Sequence, residues 1–162
     1  LAQLETNDHF TARIHENSHF HFPKSPQQLI FIANGTGIAP FLGMLQENNK
    51  NVETHLFWGG RTKESFEHYR TTVEGAIAQK RLTSFNPVYS QTTPKKEYVQ
   101  HRIFKKADWI AEVLQKGGSI MICGSLNMQQ GVVKALEEIV TAKLNTSLTE
   151  FEQKKQIKMD CY

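Results

Sequence analysis

Residues 29–46, LIFIANGTGIAPFLGMLQ, constrain the fold more than any other part of the chain. Leu29 to Ala33 is a short apolar run with β-branched and aromatic members, suited to a buried strand. Asn34, Gly35, Thr36 and Gly37 then break it. Glycines on both sides of a threonine allow a sharp turn and let a ligand approach the backbone closely. Pro40 follows, where the first turn of a helix tolerates a missing N–H. Phe41, Leu42, Met44 and Leu45 recur at helical spacing. Strand, glycine turn and helix start bring free N–H groups and the positive helix end to one point, which suits a phosphate. A glycine turn also serves as a plain connection without a ligand, so the turn alone leaves both readings open. The ATP-type phosphate loop is excluded, because no Gly-Lys-Ser/Thr follows. The G-x-G-x-x-G fingerprint fails too, because its sixth position is Pro40.

Beyond this stretch, short apolar runs alternate with amphipathic ones. Residues 54–58 read as a second strand closed by Gly59-Gly60, and residues 82–89 as a third, interrupted by Pro87. Residues 119–123 read as a fourth strand turned by Gly124, and residues 157–162 as a last short one. Helices are expected over 66–79, with Phe66, Tyr69, Val73 and Ile77 inward, and over 102–116, with Ile103, Ala107, Ile110 and Leu114 inward. A further helix is expected over 128–140, burying Val132, Leu136 and Ile139, and a short one over 146–153. The alternation predicts an α/β fold, a three-layer αβα arrangement around a mostly parallel sheet of about five strands. Ligands of such sheets bind beyond the carboxyl ends of the strands, where the strand order reverses. Small and polar groups gather at those ends: Gly35 to Gly37, Gly59-Gly60-Arg61, Ser90, and Cys123-Gly124-Ser125. Packing alone does not require that convergence, and it raises a nucleotide site above a plain connection.

The chain's 162 residues suffice for one domain with a full core. A net charge of +3 is too small to argue for nucleic acid and does not oppose an anionic small ligand. Cys123 and Cys161 are the two cysteines, too few for a disulfide framework. No apolar run approaches the roughly 20 residues of a membrane span. The first residue is Leu1, so the sequence reads as a piece of a longer, cytoplasmic protein, with membrane attachment only through parts outside it. Residues 11–16 and 19–23 alternate like strands, and Pro23, Ser25 and Pro26 read as a linker. His19 and His21 fit a solvated strand face better than a metal site, since no third ligand is near in sequence, and no metal is expected. Asn34-Gly35-Thr36 and Asn145-Thr146-Ser147 match the glycosylation pattern and are read as chance.

Gly35-Thr36-Gly37-Ile38-Ala39-Pro40-Phe41 resembles the pyrophosphate loop of the ferredoxin–NADP reductase superfamily. The likeness is to its diflavin branch, of cytochrome P450 reductase and sulfite reductase flavoprotein type. A second match starts at Ser90 and continues with Lys96, Tyr98, Val99 and Gln100. On its own this segment reads as a solvated polar loop. The family pattern is Ser, Arg, then Lys-x-Tyr-Val-Gln, whose Ser, Arg, Lys and Tyr hold the 2′-phosphate and adenine of NADPH. Here Gln91 stands in place of that Arg, a neutral amide for a charged fork, which weakens NADPH against NADH. No acid replaces it, and Lys95 or Lys96 supplies charge, so NADPH is the cofactor the resemblance implies. Arg61 resembles the Arg of the family's Phe-Gly-Cys-Arg, expected at the pyrophosphate or the adenosine ribose phosphate.

Cys123-Gly124-Ser125-Leu126-Asn127-Met128 resembles the family's Cys-Gly, short gap and Met. A lone Cys in an apolar strand is ordinarily an inert core residue. The resemblance instead implies that Cys123 lies against the nicotinamide and helps place its C4, without acting as a covalent nucleophile. It adds Gly124, Asn127 and Met128 to the cofactor-binding set. Asp160-Cys161-Tyr162 resembles the family's terminal Asp-x-aromatic. That match implies that Tyr162 covers the flavin ring and moves aside for the nicotinamide. Asp160 then orients Cys123 and stabilises developing positive charge.

The resemblance spans nearly all of residues 11–162. It implies that residues 1–28 are the tail of an upstream FAD-binding β-barrel plus linker, and that 29–162 are an NAD(P)-binding domain. The implied function is to bind NADPH and deliver hydride to FAD held mainly by that upstream domain. Electrons then pass to a flavodoxin-like FMN domain or another acceptor, and the segment without its FAD domain is inactive. Two alternatives stand beside it: an NADH-specific flavin reductase module, and a non-catalytic nucleotide-binding regulatory domain. Cys123, Asp160 and Tyr162 argue against the second, since a sensor needs neither a ring shield nor a thiol at a hydride site.

Overall fold

The computed structural model describes residues 5–11, 13, 17–24, 26–49, 52–92 and 96–162. Its centre is a five-stranded parallel sheet in the order β3-β2-β1-β4-β5. The strands are β1 Leu29–Asn34, β2 Thr54–Gly60, β3 Ser84–Tyr89, β4 Ser119–Gly124 and β5 Ile157–Cys161. Every neighbouring pair is parallel. β1 and β4 are buried almost throughout, because helices cover both faces of the sheet. Alternate residues of one strand therefore serve different cores. Ile30 and Ile32 face one with Phe57, Ile120 and Ile122, while Phe31 and Ala33 face the other with Leu56, Trp58 and Met121.

The second core is closed by α1 Ala39–Glu47 and α2 Glu67–Ala78, with Phe31 and Phe41 stacked at 4.5 Å. The first is closed by α3 Val99–Phe104, α4 Ala107–Gln115, α5 Leu126–Leu144 and α6 Leu148–Gln153. Chain order runs outward from β1 to β3, then returns past β1 to place β4 and β5 on its other side. The reversal therefore falls between β1 and β4, where an open α/β sheet leaves a crevice at the carboxyl ends.

Three expectations change. The single helix over 102–116 is two helices, separated at Lys106, whose backbone (φ −111°, ψ 27°) leaves the helical region. Ile103, Ile110 and Leu114 are still buried in one core, so their spacing runs through the break. On α2 the inward residue beside Val73 is Ala76, and Ile77 is exposed. The chain folds back over Ala76, whose carbonyl accepts from the N–H groups of Arg81 and Leu82. Residues 19–23 form turns and bends rather than a strand, with no strand partner among the described residues, and Phe20 tucks against Phe41 at 5.8 Å. The strand expected over 11–16 falls mostly outside the described residues. Pro87 is accommodated inside β3 because that strand is an edge.

Candidate functional site

A 3-10 turn, Gly35–Ile38, leads from β1 into α1, with Pro40 in the first helical turn. Gly35 has φ +52°, a conformation glycine adopts without a Cβ penalty. The turn packs directly onto the end of β4. A Cβ on Gly37 would lie 2.7 Å from the Cys123 carbonyl carbon and from Gly124 Cα. Gly124, at φ +145°, faces the Asn34 side chain with no room for a Cβ. Asn34 spans the two strand ends. Its Oδ1 accepts from the Ser125 N–H at 2.9 Å, and its Nδ2 donates to Ser125 Oγ at 3.0 Å. From the other side, the Trp58 indole N–H donates to the Gly35 carbonyl at 3.0 Å. The end of β1 is thus tied to both neighbouring strands.

Above these ends lies a crevice of about 830 Å³, within the size range of ligand sites. Asn34, Gly35 and Thr36 come to it from β1 and the turn, and Trp58, Gly59, Gly60 and Arg61 from β2. Ser65 lines it from the 3-10 turn before α2, His68 and Tyr69 from the first turn of α2, Val88 from β3 and Ser90 from just past its end. Glu97, Tyr98, Val99 and Gln100 close the α3 side, and Ser125, Asn127 and Met128 the α5 side. Arg61 is the guanidinium on this wall. The Glu97 carboxylate is held by Lys105 at 2.6 Å and Arg102 at 3.4 Å, and the Lys105 bond chiefly keeps its carboxyl below the usual range. Glu97, the one acid on the wall among the described residues, is therefore already paired with two cations.

The chain's last residue folds over this rim. Tyr162 donates its N–H to the Gly124 carbonyl at 3.0 Å and accepts from the Leu126 N–H at 3.3 Å. Its phenol oxygen lies 2.8 Å from Thr36 Oγ1, while 69% of the residue stays exposed. Asp160 on β5 is in register with Cys123 on β4. Cys123 is only 3% exposed and packs in the α1/α2 core. Burial, then Asp160 and Cys161, push its thiol up to about 11, so it is neutral and unreactive at neutral pH.

Of the residues singled out in the sequence, Gly35, Thr36, Arg61, Ser90, Tyr98, Gln100, Asn127 and Met128 line one crevice. Gly37, Ile38, Ala39 and Pro40 form the turn and helix start behind it. Cys123 and Gly124 lie beneath, with the thiol turned into the core rather than into the crevice. Asp160 and Tyr162 stand beside it on β5 and the following residue. Gln91 and Lys96 are exposed and off the crevice wall, and Lys95 lies outside the described residues. Sequence reading missed Asn34, Trp58, Ser65, His68 and Glu97, and it placed Ser125 at a strand end without giving it a binding role. Asn34 and Ser125 had a usable signal, since each is a polar residue ending a buried strand. Ser65 and His68 had none, because only the packing of α2 brings them in.

Residues 31–134 match the family described as oxidoreductase NAD-binding domain. The chain is 28% identical to the NADPH sulfite reductase flavoprotein alpha-component of Bacillus subtilis (strain 168), over 99% of this chain and 28% of that protein. It is 34% identical to the NADPH–cytochrome P450 reductase of Bos taurus, over 76% of this chain and 20% of that protein. The sulfite reductase flavoprotein alpha-component of Shewanella sp. (strain ANA-3) is 32% identical over 84% and 23%. The chain therefore spans about a quarter of the length of the curated relatives it matches.

Proposed function

The chain belongs to the oxidoreductase NAD-binding domain family, and on that footing we propose that it binds NADPH for hydride transfer to FAD. One observation carries the reading: Thr36, Arg61, Ser90, Asn127 and Met128, from separate strand ends, line a single crevice at the β1/β4 reversal. A dinucleotide fits the local chemistry. The glycine turn offers free N–H groups, and the Gly37–Cys123 approach sets the crevice floor without side chains in the way. When bound, the nicotinamide supplies a hydride, and the flavin carries the electron chemistry.

The protein's part is position and charge. The turn from Gly35 to Gly37 would hold the pyrophosphate, and Arg61, Ser90 and Tyr98 the adenosine end. Arg61 takes the place of charge that Gln91 lacks, and the pairing of Glu97 with Lys105 and Arg102 lowers repulsion of a 2′-phosphate. Cys123, as a neutral thiol under the floor, acts through bulk and not as a nucleophile. Tyr162, exposed beside Thr36, would cover the flavin face, and Asp160, in register with Cys123, would supply negative charge beside the nicotinamide. FAD would be held by an upstream domain of the parent chain, with residues 1–28 as its tail. Electrons would pass on through a flavodoxin-like FMN domain or another acceptor, in the cytoplasm, and this segment alone would be inactive.

An NADH-specific flavin reductase is the second reading, favoured by the exposure of Gln91 and Lys96 away from the crevice. Calorimetric titration with NADP⁺ and NAD⁺ decides. NADP⁺ binds more tightly than NAD⁺ to the wild type, and Arg61→Ala weakens NADP⁺ by about 10- to 100-fold, the worth of a charged hydrogen bond, with little effect on NAD⁺. Equal weakening of both removes the phosphate assignment, and binding of neither removes the dinucleotide reading.

A further inference from the structure

We propose that the Ser125 hydroxyl is a hydrogen-bond donor to the nicotinamide half of the dinucleotide, and that Asn34 is the positioning residue that presents it. The inference rests on the reading of the crevice as a dinucleotide site. Hydrogen-bond polarity around Ser125 is fixed by its own backbone. The Ser125 N–H can only donate, so the Asn34 atom 2.9 Å from it is the amide oxygen. The other end of that amide is the NH₂ group, which has no lone pair to offer. Ser125 Oγ, 3.0 Å from it, must therefore accept. The same oxygen accepts from the Met128 N–H at 3.4 Å as the N-cap of α5.

Both lone pairs of the hydroxyl are thus committed, and among the described residues its hydrogen has no acceptor. The side chain is half-buried on the crevice wall, so the free O–H belongs to the site. A donor with no protein acceptor selects for an oxygen acceptor on the ligand: a phosphate, ribose or carboxamide oxygen. Its place assigns the half. Ser125 stands beside Asn34, Thr36 and Met128, the part of the crevice that Tyr162 reaches through Thr36. Arg61 and Ser90 lie at the ends of β2 and β3, on the far side of β1. Gly124 makes the arrangement possible, because any Cβ there would displace the Asn34 amide.

Calorimetry on the full chain with two ligands tests this: NADP⁺, and 2′,5′-ADP, which carries only the adenosine half. Ser125→Ala weakens NADP⁺ by about two- to ten-fold, the worth of one neutral hydrogen bond, and leaves 2′,5′-ADP unchanged. The unchanged fragment shows that the fold is intact. Ser125→Thr, which keeps the hydroxyl, restores NADP⁺ binding. Asn34→Asp keeps an acceptor for the Ser125 N–H but draws the hydroxyl hydrogen to itself. It therefore weakens NADP⁺ more in the wild-type background than in the S125A background, where only its charge acts. Unchanged NADP⁺ affinity in S125A, equal loss for both ligands, or failure of S125T to restore binding overturns the donor role. Equal effects of N34D in both backgrounds overturn the role of Asn34. If the wild type binds neither ligand, the dinucleotide reading itself has failed.

Discussion

Gly37→Ala places one methyl group where the glycine turn meets β4, and its consequence follows from the contact distances. The new carbon would lie 2.7 Å from the Cys123 carbonyl carbon and from Gly124 Cα. Carbon atoms in contact prefer about 3.5–4.0 Å, so the two segments must part by about 1 Å. Both partners are backbone atoms in paired strands, with no flexible side-chain end to yield. Overpacking of this kind costs about 1–3 kcal/mol. Displacement of the turn also spoils its alignment with Ser125, so NADP⁺ affinity falls together with stability. Gly43→Ala is the matched control. Gly43 is exposed within α1 with nothing within 4 Å of an added Cβ, so the variant gains about 0.5–1 kcal/mol from helix propensity. Urea unfolding reads both changes, and calorimetric titration with NADP⁺ reads the site. Opposite signs in stability are the expected result. A Gly37→Ala protein as stable as the wild type, with unaltered NADP⁺ affinity, refutes the close approach of the two turns.

Two pH dependences follow from buried groups remote from one another. Cys123, raised from 9.0 to about 11, keeps its proton in the folded state after the unfolded chain has lost it. Stability therefore falls across that alkaline window, by about 2–3 kcal/mol in total at about 1.4 kcal/mol per unit. Cys161 and Tyr89 are also raised by burial and add to the trend, so Cys123→Ala lessens the alkaline slope of the urea midpoint without abolishing it; an identical slope in the variant contradicts this. His55, in contrast, is lowered, chiefly by burial and further by Lys106, against the opposing pull of Glu53. Its neutral ring bridges Ser84 at 2.8 Å and Gln28 at 3.1 Å. A lowered histidine stabilises fully above the unfolded value of 6.5, and that share is lost as pH falls below it. His55→Gln should therefore show a shallower acid decline in thermal melting than the wild type, and parallel declines would exclude the assignment.

The strands were legible because a sheet covered on both faces needs unbroken apolar runs, and β1 and β4 supply them. The glycine turn was legible because no residue with a Cβ fits at Gly37. The break between α3 and α4 was not, because Lys105 and Lys106 are good helix formers and the buried spacing on either side stays in phase. Ile77 was misassigned because a 3.6-residue period admits either position 76 or 77 inward, and only the fold-back at Arg81 decides. At the crevice, motif residues marked strand ends that line it but not which of their groups face it. Cys123 sits at such an end yet turns its thiol into the core, since successive side chains alternate across a strand. The bracket of Asn34 and Ser125 spans 91 positions and appears only when β1 and β4 lie side by side.

Location of NADP⁺ in a cocrystal structure of this chain tests the account most directly. The account places the pyrophosphate on the N–H groups from Gly35 to Gly37, the adenosine phosphate beside Arg61 and Ser90, and the nicotinamide half against Ser125. Ligand density elsewhere on the surface, or an adenosine phosphate remote from Arg61 with the crevice left to solvent, would contradict it.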